Sequence, residues 1–355
     1  LSKNGAENNA YTSYYSVSYV GEVADFEWQR VFDLLFKGLT KPLFLESEFK
    51  AEYGNIRDEL TSYTNIHFRE LSSELTKSFG LNTVSDRERV QLMKNVDRQD
   101  VIEHYRKTHH TSNLRFIVAG NLRGRRIELK RMLENIDLPK GKRFQLPVEK
   151  AIKPPKPIFI ANQTVPNIYL ILSTYYNDII QIRDFDALVI ARALLTDTLY
   201  SKIFGQARDR GLVYHVHSGN HISSKNTEWS LSAQVLAENA PALCEIILTE
   251  IKKVQNAIID ENDLEGAKQY ALGSFQRSLQ TVASVAAAYN RYFFDGYIED
   301  IQSIPKRAKS ITKMDVANAM RRLFSEGVGN IGVLGGTDSS LPQKLYGQLQ
   351  PLWRL

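Results

Sequence analysis

Glu52 and Glu59 are the residues of this chain best placed to do chemistry. They are seven residues apart, or two turns of a helix. Take Phe49 as the zero of a helix turning ~100° per residue. Tyr53, Ile56, Leu60 and Tyr63 then gather within about 40° of it as an apolar stripe, and the two glutamates fall at roughly −60° and −80°. That position predicts two carboxylates on one side of a helix, at the margin of its buried face. A carboxylate there costs free energy unless a metal ion, an arginine or a set of backbone donors satisfies it. Two kinds of chemistry follow: cation binding, or plain ion pairing with a rim lysine or arginine.

Other polar clusters carry less. His215 and His217 share one strand face with His221 nearby, and read as a strand rim rather than a metal site. His104, His109 and His110 sit at a helix end, where a cation suits the helix dipole. Arg123, Arg125, Arg126, Lys130 and Arg131 read as a solvated helix face. No aromatic interleaving supports a nucleic-acid partner. Gly335-Gly336-Thr337 lacks the Lys-Ser/Thr of a phosphate loop and reads as the turn after a strand. No serine has a local nucleophile signature.

The elements that must position the two glutamates belong to an internal repeat. Asp100-Val101 opens a helical run that leads to Phe116-Ile117-Val118-Ala119-Gly120. Asp315-Val316 opens a similar run that leads to Ile331-Gly332-Val333-Leu334-Gly335, 215 residues later. The same offset relates Glu48-Phe49 to Asp263-Leu264, so two copies of one unit are expected. The copies differ in polar chemistry: Glu52 corresponds to Ala267 and Glu59 to Ser274. Residues 14–20 alternate as a half-buried strand, with a counterpart at 228–235. Helices are predicted over 25–37 and 240–258, and from near Glu46 and Asp260, where acidic residues fill the first turn. The second copy also has a strand at 168–172, a long apolar helix over 185–204 and a strand over 212–221. The first copy has only about ten residues for that stretch, so it is expected to lack those elements.

The fold class expected is α+β: two homologous domains, each a mixed, mainly antiparallel sheet with helices packed on one face. The first domain is N-terminally truncated, and the halves face each other across a chamber. Prolines and lysines crowd 138–158, which places the first domain at 1–140, a linker at 141–158 and the second domain at 159–355. With 355 residues, two domains are the ordinary expectation. The single cysteine, Cys244, excludes an internal disulfide and suits a reducing compartment. A net charge of +5 fits an acidic partner only weakly. No apolar run approaches the ~18 residues of a membrane span. The chain starts Leu1-Ser2-Lys3 without methionine, so no targeting segment can be read from it.

Several motifs together resemble the pitrilysin/insulinase metallopeptidases, the inverted zincins that include the mitochondrial processing peptidases. They are Asn9-Ala10-Tyr11-Thr12-Ser13, Lys41-Pro42-Leu43-Phe44, the pair Glu52 and Glu59, and Arg210-Gly211-Leu212-Val213-Tyr214. The resemblance implies a zinc endopeptidase acting on extended or unfolded peptides. Its Zn2+ would be held by two histidines of an H-x-x-E-H helix and a distal glutamate. The glutamate of that helix would take the proton of the metal-bound water. On this pattern Glu59 is the distal ligand, and Glu52 is the second carboxylate supporting the catalytic site. Asn9, Ala10 and Thr12 match a strand that pairs with substrate backbone, and Tyr214 matches a residue that holds the peptide.

Two departures accompany the resemblance. None of the seven histidines forms H-x-x-E-H. That motif is expected ~30 residues before Asn9, upstream of Leu1. The arginine that pairs with the family's tyrosine is expected seven residues before Tyr214, where this chain has Ala207, with Arg208 one step away. The expected partners are a peptide or unfolded protein and a second chain in a homo- or heterodimer. The alternative reading is a non-catalytic paralogue, serving as a structural or regulatory subunit or as a peptide-binding module.

Overall fold

The computed structural model describes residues 5–222, 226–292 and 296–354. They form two compact units. The first comprises Leu1–Leu60, Arg89–Pro147 and Ser278–Glu299; the second comprises Thr61–Glu88, Val148–Arg277 and Asp300–Leu355. The units do not follow the Pro/Lys stretch as a simple boundary, because each half of the chain lends a segment to the other unit.

The second unit is built on a five-stranded sheet. Its strands are β3 (Ile158–Ile160), β4 (Ile168–Tyr176), β5 (Val213–Ile222), β6 (Thr227–Val235) and β7 (Val328–Leu334). Their order is β3-β7-β4-β6-β5, with β3 parallel to β7 and every other pair antiparallel. β6 shows the alternation read from its sequence: Thr227, Trp229, Leu231, Ala233 and Val235 are buried, and the residues between them are more open. One face of the sheet is covered by α7 (Ile182–Leu195), α8 (Phe204–Asp209), α9 (Ala240–Gln255), α13 (Lys313–Ser325) and α14 (Leu341–Leu349). Leu170 and Leu172 of β4 point to that face. Ile171 and Tyr175 point to the other, where Leu71, Leu75 and Phe79 of α3 (His67–Ser78) and its C-terminal end cover them. A helix from the first half of the sequence therefore completes the core of the second unit.

The long helix expected over 185–204 ends at Leu195, residues 196–203 are turns, and α8 starts only at Phe204. Hydroxyl groups interrupt it: Thr196 donates to the Arg192 carbonyl, Ser201 to the Ala193 carbonyl, and Thr198 shares a bond with Ser201. Such side chains offer the backbone a local alternative to the helical ladder. Arginine–carboxylate pairs fasten the rim of α7 to its neighbours: Arg183–Asp315, Arg307–Asp186 and Arg322–Asp184.

The first unit holds a two-stranded hairpin, β1 (Glu7–Thr12) and β2 (Val17–Glu22), with α1 (Trp28–Thr40), most of α2 (Glu46–Tyr63), α5 (Arg98–Thr108) and α6 (Arg126–Glu134). The half-buried strand expected over 14–20 is β2, preceded by a turn in which Ser13 bonds Ser16, and β2 is exposed throughout. Residues 116–120 form no strand. Their counterpart, β7, lies between β3 and β4, and those two strands have no counterparts 215 residues earlier in this chain. Without a neighbour on either side there is no ladder to join. Helix capping does repeat: Asp97 and Asp100 form a capping box on α5, as do Thr312 and Asp315 on α13. Both buried apolar clusters belong to the second unit. Among the described residues, no helix is long and apolar enough to cross a membrane.

Candidate functional site

α2 borders an apolar groove of about 1270 Å³ inside the first unit. Phe36, Phe44, Phe49, Tyr53, Val96 and Val101 supply much of its wall, and Glu52 reaches its rim. Phe44 holds a left-handed backbone, φ 48°, which is uncommon outside glycine. Two contacts hold it there. Its carbonyl accepts from the Arg98 guanidinium at 3.0 Å, and its ring meets Tyr105 edge-on at 5.3 Å. Arg98 also bridges Glu46 at 3.1 Å, which ties the start of α2 to the start of α5.

The structure corrects the placing of the acidic pair at the margin of a buried face, since Glu52 and Glu59 are both exposed. The repeat supplies the reason. Ala267, the counterpart of Glu52, is buried in the cluster that contains α7 and α8. The counterparts of Phe36, Phe44, Phe49, Val96 and Val101 are Ile251, Ile259, Leu264, Ile311 and Val316, all buried in that same cluster. The groove of the first unit thus corresponds to the surface that α7 and α8 cover in the second. Seven residues of helix separate the two glutamates by about 10 Å along the axis, too far for both to ligate one ion. Among the described residues, no three His, Cys, Asp or Glu side chains converge as a metal site. The residues present therefore offer single carboxylates to a metal and none of the imidazoles that zinc prefers.

Asn9, Ala10 and Thr12 lie on β1, paired with Val20, Tyr19 and Val17 of β2. All three are exposed, and β2 is the only neighbour of β1 in its sheet among the described residues. One edge of β1 therefore remains open to an extended chain. The hairpin is tied to α5 through Tyr19, whose hydroxyl meets His109 Nε2 at 2.9 Å. His109 also bonds Thr108 through Nδ1 and stacks on Tyr105. Burial holds the His109 imidazole below its usual pKa, which suits a neutral ring shared between two hydroxyls.

Tyr214 follows α8. Gly211, at φ +68°, ends that helix: its N–H donates to the Arg208 carbonyl and that of Leu212 to the Ala207 carbonyl, both at 2.9 Å. This is a Schellman cap, which needs a left-handed residue where glycine stands. The cap buries Ala207 completely and leaves Arg208 outside. Arg208 lies 4.5 Å over the Tyr214 ring and donates to the Tyr214 carbonyl at 2.9 Å. The guanidinium–phenol pair is thus present one residue out of the expected register, on a ring that is 82% exposed. Should this pair hold an extended peptide, Arg208→Ala is expected to weaken that binding about tenfold, because the Tyr214 ring loses the cation–π contact and hydrogen bond that orient it. Fluorescence anisotropy checks this, with Arg210→Ala as the comparison.

One polar row escaped the sequence reading. Tyr175, Glu228 and His221 are register partners across β4, β6 and β5. Burial pushes the Glu228 carboxyl above the usual range. A lone glutamate amid the alternating β6 pattern was the available signal. A carboxyl with a raised folded-state pKa weakens the fold once it ionises. Glu228→Gln is therefore expected to raise the melting temperature at pH 7 by about 2–4 °C. That gain should vanish as pH falls below the ordinary carboxylate range, where wild type is protonated in both states. Melting curves at the two pH values check it. His215 and His217 stack at 6.4 Å on the exposed side of β5 without a third ligand among the described residues.

Two family models match the sequence: insulinase, peptidase family M16, over residues 1–87, and peptidase M16 inactive domain over residues 95–270. The fold is similar to that of a protease from Helicobacter pylori at a TM-score of 0.74 and 14% identity, covering 94% of this chain and 82% of that one. It is also similar to a peptidase M16 inactive domain from Pseudomonas fluorescens, at a TM-score of 0.73 and 15% identity, covering 95% of this chain and 82% of that one. No curated protein matches the chain in sequence.

Proposed function

Because this chain belongs to the insulinase family of peptidases, family M16, we propose that it forms the peptide-holding part of a zinc endopeptidase acting on extended or unfolded peptides. One observation carries this reading: the groove beside Glu52 is an apolar seat whose counterpart in the second unit is filled by α7 and α8. A helix seated there in the same way would lie against α2, beside Glu52. If that helix carries H-x-x-E-H, its two imidazoles and Glu59 make the three-ligand set of a catalytic zinc, and Glu52 supports them. Zinc would supply an activated water. This chain's own residues would do the holding: Asn9, Ala10 and Thr12 along β1, and Tyr214 with Arg208 beside β5.

The second reading is a non-catalytic subunit that binds peptides or a partner chain. The match of 95–270 to an inactive domain favours it. The deciding experiment uses the polypeptide with its native upstream residues and an unstructured fluorogenic peptide. Hydrolysis that a chelator stops and zinc restores is the expected result. Peptide binding with no hydrolysis, or an upstream stretch without H-x-x-E-H, decides for the subunit.

A further inference from the structure

We infer that the outer face of α6, with the start of α1, is a peripheral docking surface for anionic lipid bilayers. Ile127 is 87% exposed and Phe26 is 79% exposed. They stand on adjoining segments, fastened by the Asp25–Arg125 pair and by a bond from Gln29 to Glu128. Around Ile127 lie Arg123, Arg126, Lys130 and Arg131, all exposed. On a helical wheel Lys130 and Arg131 flank Ile127 at roughly −60° and +40°, and the buried Leu129 lies about 200° away. Lys130, Arg131 and Ile127 therefore share the side of α6 turned from its packing contact, with Arg126 at its edge about 100° from Ile127 and Arg123 just before the helix.

The acidic groups nearby are mostly committed. Asp25 is held by Arg125, and Glu128 accepts from Gln29. Glu134 lies on the same side and meets Lys130 at 3.7 Å. Arg123, Arg126 and Arg131 have no ion pair among the described residues. The repeat shows how far this face has diverged. Its counterparts on α14 are Leu341, Pro342, Leu345 and Leu349, all buried. At those positions α6 has Arg126, Ile127, Lys130 and Glu134. One copy keeps an apolar face for a protein core. The other has two cations, a glutamate and an exposed isoleucine at those positions, and buries Leu129 instead, whose counterpart Lys344 is exposed. A cationic rim around exposed apolar side chains fits a bilayer: the cations meet acidic headgroups, and Ile127 and Phe26 enter the boundary with the acyl chains.

Flotation of the full chain with vesicles tests the surface. Phosphatidylcholine vesicles doped with phosphatidylserine should carry the protein, and pure phosphatidylcholine should not. Arg126→Ala and Lys130→Ala should each lower the partition about fivefold, and Ile127→Asp should abolish it. Added salt should release the protein, and Ile258→Asp, an exposed change in the second unit, should leave binding intact. Circular dichroism melts establish that the α6 variants stay folded. Equal binding to neutral and anionic vesicles, binding to neither, or indifference to Ile127→Asp overturns the inference. So does tighter binding to duplex DNA that ignores Ile127→Asp, since that marks a general polyanion surface.

Discussion

Glu59→Gln is expected to lower zinc affinity more than about 100-fold in the polypeptide that carries its upstream residues, and Glu52→Gln by about 10–100-fold. The order matters more than either value. A ligand donates its oxygen to the metal, whereas a supporting carboxylate only orients the ligands. Removing the ligand therefore costs more. Both side chains are exposed on α2, and melting curves of the two variants establish that a loss of metal is not a loss of fold. The measurement is metal content after dialysis against a competing chelator. Equal, unchanged content in both variants removes Glu59 from the site. The reverse order would exchange the two roles. Residues 1–355 alone are expected to take up no stoichiometric zinc, because two carboxylates about 10 Å apart do not make a tetrahedral site.

Trp229→Ala should cost about 3–5 kcal/mol of stability in the second unit. Trp229 is completely buried in the middle of the sheet, with Phe324 of α13 at 5.5 Å. Its loss opens a hole where β6 meets the helical layer. Tyr200→Ala is the matched comparison. That ring is 93% exposed, so its removal should change stability by no more than about 0.5 kcal/mol. Urea titration of both variants gives the comparison. Equal midpoints would mean that the sheet does not rest on this contact.

The 215-residue offset was legible because each copy repeats a capping pattern and an apolar period. Both signals are local, and both capping boxes form where the spacing places them. The mixed, mainly antiparallel sheet also follows from local alternation, most plainly in β6. The break between α7 and α8 was less legible. It depends on whether Thr196 and Ser201 turn back to the main chain or continue the helix, and periodicity does not report that choice. The Arg208–Tyr214 pair was half legible: the sequence marked Ala207 as a departure, but only the cap at Gly211 turns Arg208 onto the ring.

By itself the sequence showed a helix-and-strand unit repeated at a 215-residue offset, the difference between the copies at Glu52 and Glu59, and several of the helices, such as those starting near Glu46 and Asp260. Tertiary structure decided which faces are covered. A helical wheel places Glu52 beside an apolar stripe, but burial requires a second element on that stripe, and in this chain α7 and α8 cover only the other copy. The same rule left 116–120 without a strand and built α3 into the second unit's core. Burial and strand pairing belong to pairs of elements, so no single segment's pattern can fix them.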